Sequence, residues 1–277
     1  MIETKLNLLL EENGLVGQIK GIGIGAPNAK YSTGQIINPP NLVWDKGESL
    51  EKRTFEIVKI LSEKMGCPAA LDNDVNLAAL GEKIYGNAKS MKDFIMIALG
   101  TGVGAGVFSN DALVRGNNCF AGELGHTVSV RHNGRLCGCG GRGHLEAYAS
   151  ATGVAQTARE FLEARADEES LLRGISEIES KHVYDAAMNG DKLAKDVFEF
   201  TGKILGEALA NFVAFSDPEA IILFGGMAKS WEDCLEEPTR RHLEANLMPI
   251  FRGKVKLLLT GLQEADAAVL GASALAW

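Results

Sequence analysis

From Gly116 to Gly143 the chain is dense in glycine and shows neither the 3.6-residue nor the two-residue apolar period of a helix or strand. A stretch of this kind cannot order itself by burying one face, so it needs another tie. The residues for such a tie lie in and beside it. His126, the pair Cys137-Gly138-Cys139, and His144 place two thiols and two imidazoles within nineteen residues. These are enough donors for a closed tetrahedral structural zinc site. The Cys-x-Cys spacing is tighter than finger spacing, so a redox pair or two free surface thiols stays open as a reading, and His132 is a competing ligand. Glu123 and Glu146 would be carried beside such a metal and held rigidly; the alternative is that they are solvated surface acids.

The rest of the chain reads as alternating helices and strands. Residues 3–13 form a leucine-bearing helix, Ile19 to Gly25 a short buried strand, and Asn28 to Gly47 a loop or irregular hairpin around Asn38-Pro39-Pro40-Asn41. An amphipathic helix spans 49–65, and a strand to Leu71 delivers Asp72-Asn73-Asp74 at the head of another helix. The apolar run Phe94 to Leu99 feeds Gly100-Thr101-Gly102-Val103-Gly104, then Val107-Phe108, a turn at Ser109 to Ala112, and Leu113-Val114: strand, glycine turn, strand, turn, strand. Helices follow at 152–164 and 192–215, the second stopped by Asp217-Pro218. A strand at Ile221 to Phe224 leads into Gly225-Gly226, and a strand at 255–260 precedes a last helix from Ala265.

Composition excludes several classes. The 277 residues are 46% hydrophobic and 23% charged, which is ordinary for a globular chain with two domains and excludes a disordered or fibrous one. A balance of 28 basic against 36 acidic residues, with no basic cluster, argues against a nucleic-acid partner. The apolar runs are strand-sized, well short of the roughly 20 residues that span a bilayer, so no membrane partner or secretory signal is expected. Five cysteines, three of them scattered, do not form a disulfide framework and suit the reducing cytoplasm.

Two further segments carry chemistry. Gly100 to Ala105 fits the loose dinucleotide pattern, yet a strand rather than a helix is expected after it. A glycine-rich β-turn with Thr101 instead lets backbone amides approach a phosphate, or is simply a tight turn; Gly225-Gly226 is similar in kind. Asp74 falls at a strand end where a helix begins, the place where α/β sheets set ligand groups. Asp and Asn are favoured helix caps, but four polar residues in Asp72 to Asn76 exceed the needs of one cap. A carboxylate there can take a proton from a substrate hydroxyl while Asn73 bonds a neighbouring one.

Taken together, Gly122-Glu123-Leu124-Gly125-His126 and the run Cys137 to Glu146 resemble the hallmark motifs of the ROK family of repressors and sugar kinases. Leu71 to Glu82 resembles its catalytic segment, Ala98 to Gly106 its second phosphate loop, and Leu223 to Gly226 its adenosine loop; the likeness runs from about Lys20 onward. It implies an α/β, actin-like ATPase (ribonuclease H-like) fold of two lobes with a zinc-stabilised insertion. Residues 1–92, joined by a C-terminal helix at 263–277, would form the first lobe, and 93–262 the second, with the zinc site and nucleotide loops. The resemblance makes the chain an ATP- and Mg²⁺-dependent hexose kinase, glucokinase-like and usually a homodimer. Asp74 becomes the general base towards the primary hydroxyl, while Asn73, Glu123, His126, Glu146 and Asn41 hold the sugar. Gly100, Thr101, Gly102, Gly104, Gly225 and Gly226 bind nucleotide, and His126, Cys137, Cys139 and His144 hold structural Zn²⁺. His144 stands where most members have a third cysteine.

One departure bears on activity. Members of the family begin with a strand bearing Asp-x-Gly-Gly-Thr, whose backbone grips phosphate and whose acid orients magnesium, and nothing between Met1 and Gly21 matches it. The first lobe is therefore expected to be truncated, from a fragment or a misplaced start codon, with an open edge at the Ile19 to Gly25 strand. The family's repressor branch carries a helix-turn-helix in front, for which about twenty residues leave no space. The rival readings are a non-catalytic sugar sensor or binding remnant with the same pocket, and a nicotinamide oxidoreductase, which requires a helix after Gly104.

Overall fold

The computed structural model describes residues 2–37, 54–263 and 266–276. Two compact units emerge, one of residues 1–90, 113–121 and 261–277, the other of 91–112 and 122–260. Residues 113–121, expected with the second lobe, cluster with the first unit, anchored there by Arg115, which bonds Asp72.

In the first unit, α1 (Ile2–Glu12) is followed by β1 (Ile22–Gly25). This strand is shorter than its apolar run because only Ile22 to Gly25 pair, in parallel, with β5 (Ala69–Asp72). β2 (Ala29–Lys30), β3 (Gln35–Ile37) and β4 (Thr54–Phe55) make a small antiparallel sheet. Thr54 and Phe55 were expected in a helix. They instead pair with Ile37 and Ile36, and α2 starts at Ile57 and runs to Met65, ending on Gly66 with φ 66°. α3 (Asp74–Tyr85) and α9 (Ala267–Leu275) pack on each other, and α9 packs on β1. That packing is backbone on backbone. A Cβ at Gly23 would lie 1.7 Å from the Ala272 carbonyl oxygen, so no other residue fits β1 against α9.

The second unit holds the larger sheet. Its strands β6 (Phe94–Leu99), β7 (Val103–Ser109), β8 (Ala112–Leu113), β9 (Ala220–Phe224) and β10 (Lys256–Leu259) lie in the order β10-β9-β6-β7-β8. β6 pairs antiparallel with β7 and parallel with β9, and its near-continuous apolar run reflects burial on both faces. Helices α4 (Glu146–Ala149), α5 (Ala151–Ala164), α6 (Ser180–Met188), α7 (Lys192–Ser216) and α8 (Glu236–Asn246) complete the unit. α7 is its spine: Leu193, Val197, Phe198, Leu205, Leu209 and Val213 are fully buried. Asp191 caps it by accepting the Ala194 N–H at 3.0 Å, and Asp217 ends it with φ 44° before Pro218.

Candidate functional site

The second unit gathers most of the chemistry. The donor atoms of His126, Cys137, Cys139 and His144 all lie within 4.8 Å of one another. Cys137 Sγ is 3.7 Å from His126 Nδ1, and Cys139 Sγ is 3.2 Å from His144 Nδ1. Zinc bonds of about 2.0–2.3 Å put tetrahedral ligand atoms roughly 3.3–3.8 Å apart, so this set fits one zinc ion after a small contraction. His132 is exposed and is not part of the cluster. Burial pushes the Cys137 thiol up to about 11, and the Cys139 side chain and Glu146 carboxylate add to the shift. A thiol in that state becomes a thiolate ligand only against a cation.

The glycine-rich coil has ties besides a metal. Val128 bridges to His144 and Leu136 to Arg142, while the Gly143 N–H donates to the Arg135 carbonyl at 2.9 Å. Arg135 itself, only 8% exposed, donates to Glu160 and to the Ala147 carbonyl, and its guanidinium lies 4.6 Å from the Tyr148 ring centre. Sequence reasoning missed this anchor, because an arginine in polar coil looks the same whether solvated or buried.

His126 closes a single 3₁₀ turn, Leu124–His126, with Glu123 just before it. With Nδ1 turned into the cluster, its Nε2 lies on the side of Glu123, whose carboxylate is 3.9 Å away. Glu146, at the start of α4, has both oxygens engaged: Oε1 takes the Cys137 thiol at 3.4 Å and Oε2 the Val103 N–H at 3.0 Å.

That second bond reaches the glycine turn. β6 and β7 form a hairpin with Leu99 opposite Val103, so a strand follows the glycines and the helix required of a dinucleotide site is absent. Gly100, Thr101 and Gly102 make the turn, whereas Gly104 lies inside the ladder opposite Ala98. The start of α5 holds the turn from below, Ala151 N–H on the Gly100 carbonyl at 2.8 Å and Thr152 Oγ1 on the Thr101 carbonyl at 3.0 Å. A Cβ at Gly102 would sit 2.5 Å from Glu146 Oε2. Gly225, with φ 104°, packs where a Cβ would lie 2.6 Å from the Leu99 carbonyl oxygen, so Gly225-Gly226 lies beside the first turn.

The first unit carries the remaining candidates. Asn73 caps α3, its Oδ1 accepting from Val75 at 2.9 Å and Asn76 at 3.4 Å. Asp74 is exposed, takes the Val75 N–H at 3.0 Å, and lines a cavity of about 720 Å³ with Lys20, Gly23, Gly25, Val269 and Ala272. Asp72, the residue before them, is buried and accepts from Arg115 Nε at 2.8 Å; it was visible in sequence only as one polar residue too many for a cap. Asn41, expected at the sugar, lies outside the described residues.

Fold and site together define an α/β protein of the actin-like ATPase class that carries a cluster of two cysteines and two histidines able to hold a metal ion. More particularly, the chain belongs to the ROK family, whose model matches residues 1–277. It is 35% identical over 256 residues to a glucokinase of Halalkalibacterium halodurans, which covers 91% of this chain and 74% of that protein. A xylose repressor of Bacillus spizizenii is 30% identical over 259 residues, covering 92% of this chain and 60% of the repressor. The solved ROK glucokinase of Streptomyces griseus, in complex with glucose and AMPPNP, superposes with a TM-score of 0.79 at 29% identity, covering 99% of this chain and 87% of that one. Among the described residues no helix is long and apolar enough to cross a membrane.

Proposed function

We propose that this chain binds a hexose and transfers to its primary hydroxyl the terminal phosphoryl group of ATP-Mg²⁺, with Asp74 as general base. The observation that carries the reading is His126, which turns Nδ1 into the Cys/His cluster and leaves Nε2 beside Glu123 for a sugar hydroxyl. The similarity to glucokinases supports the substrate class.

In this reading zinc supplies rigidity to the loop, held by His126, Cys137, Cys139 and His144. With Cys137 as a thiolate, its bond to Glu146 Oε1 is lost, and that oxygen turns available to a sugar hydroxyl. Asn73 uses its carbonyl oxygen as a cap, so only its amide NH₂ donates to the sugar. Asp74 takes the hydroxyl proton as the oxygen attacks phosphorus. Gly100 to Gly102 and Gly225-Gly226 present backbone to the nucleotide.

A second reading, sugar binding without turnover, is favoured by one observation: the chain is also similar to a xylose repressor. Phosphoryl transfer depends on positioning and charge neutralisation, so a member of this family can keep sugar affinity without turnover. A coupled assay of ADP release with ATP, Mg²⁺ and a panel of hexoses separates the two. Turnover that falls about 10²- to 10⁴-fold in Asp74→Asn, with an unchanged melting temperature, supports the kinase. Hexose-dependent thermal stabilisation without ADP release supports the binding protein.

A further inference from the structure

We propose that Arg115 is a positioning residue for the Asn73-Asp74 segment, acting through Asp72; the proposal rests on the reading of Asp74 as the base. β5 ends on Asp72, which is 1% exposed. A carboxylate this buried is tolerated only when its oxygens are met by donors. Oδ1 accepts the Asn73 N–H and Asn76 Nδ2, each at 2.8 Å, and Oδ2 accepts Arg115 Nε at 2.8 Å. The first two bonds fix the direction in which the backbone leaves the strand and enters α3. The third holds the same carboxylate from another part of the chain.

Arg115 is itself held. Its guanidinium carbon lies over the Tyr31 ring, 4.0 Å from its centre, a cation–π contact that restrains the head group. It sits in a strap, 113–121, which folds back on itself: the Ala121 N–H donates to the Arg115 carbonyl at 3.0 Å, around Gly116 with φ 72° and Cys119 with φ 65°. One residue beyond the strap the chain re-enters the second unit at Gly122, immediately before Glu123.

Stability alone does not account for the pair. A buried ion pair is on average no more stabilising than apolar residues of the same volume, and Asn73 by itself supplies the cap of α3. What the pair adds is direction. Asp72 and Arg115 together leave Asn73 and Asp74 one way to emerge from the strand, with Asp74 on the wall of the cavity. A general base misplaced by an ångström costs about 10²-fold in rate, so this is a place where a buried charge matters to chemistry.

The test compares the full-length chain with Arg115→Met and Arg115→Lys. Arg115→Met is expected to lower kcat about tenfold to a hundredfold while hexose KM stays within about twofold, and Arg115→Lys to recover part of the loss because it keeps the charge without the fork. Unchanged kcat with only a lower melting temperature overturns the proposal. If the unsubstituted chain itself shows no turnover, the kinase reading fails, and amide hydrogen exchange decides the positioning. The Val75 and Asn76 amides should then exchange at least about tenfold faster in Arg115→Met, with β6 and α7 amides unchanged as a control for folding. Equal protection at Val75 and Asn76 in both chains overturns it.

Discussion

Glu146 shows how much one side chain can be asked to hold. It joins the loop of the Cys/His cluster to the glycine turn, one oxygen on Cys137 and the other on the Val103 N–H, and Gly102 leaves it the space. In Gly102→Ala the new Cβ would meet Oε2 at 2.5 Å, with the turn behind it pinned by Ala151 and Thr152, so the carboxylate must move. We expect hexose kcat/KM to fall about tenfold or more, equivalent to about 1.4 kcal/mol, with the zinc content of the purified protein unchanged. Loss of metal in that variant would show that the turn and the cluster cannot be separated. At this scale the sequence was legible where residue type alone announces chemistry. Cysteine and histidine spacing pointed to the four residues that the fold does bring together, and strand-then-helix logic placed Asp74 at the head of α3. Arg115 and Arg135 were illegible for the opposite reason: what they do depends on Asp72 and Glu160, which are 43 and 25 residues away.

Among the elements, α7 concentrates the electrostatics of its unit. Burial alone would raise the Asp191 carboxyl, but the Ala194 N–H, the Ser170 hydroxyl and the Leu171 N–H outweigh it and hold it below its ordinary value of 3.8. Asp196 is likewise held low against burial by Arg165 and Lys192, and Glu199 by Arg241 and His242. A depressed folded value means stability that is fully present above the ordinary carboxylate range and is lost as pH falls through the folded values. Acid unfolding followed by helix signal should therefore begin below about pH 4. Asp191→Asn should flatten that limb and cost about 1–2 kcal/mol at neutral pH, because the Ser170 hydroxyl and Leu171 N–H lose the oxygen that accepts them; an unaltered acid limb would mean that Asp191 contributes nothing to it.

Elements with a clear apolar period, such as α7, or a continuous apolar run, such as β6, could be read in advance. α6 and α8 could not. α8 reads as polar, Glu236-Glu237-Pro238-Thr239-Arg240-Arg241, and is helical because Pro238 falls in its first turn, where its missing N–H costs nothing, and because Thr239 and Leu243 bury against α7. α6 opens on Glu179, whose N–H donates to His182 Nδ1 at 3.1 Å, a pairing outside the usual Ser/Thr and Glu/Gln capping signals. At Thr54 and Phe55 the helix expected at 49–65 failed in the reverse sense, because these two residues found strand partners.

At the scale of the whole chain, the first unit is discontinuous, with β1, β5 and α3 supplied early and α9 supplied by the last residues. The second unit, apart from the excursion of 113–121, is continuous from Met91 to Thr260. A chain ending at Thr260 should keep the exchange protection of β6 and α7 while losing that of β1 and α3, which lose α9 as packing partner. Uniform loss across both units would show that they fold as one. The contact of Gly23 on Ala272 thus also sets an order of events on the ribosome. β1 leaves the exit tunnel early, yet the backbone it must nest against is translated about 250 residues later, so at about 5–20 residues per second this half of the molecule waits roughly 10–50 s for its closing helix. Throughout that interval a nascent chain presents an unfinished sheet to its surroundings.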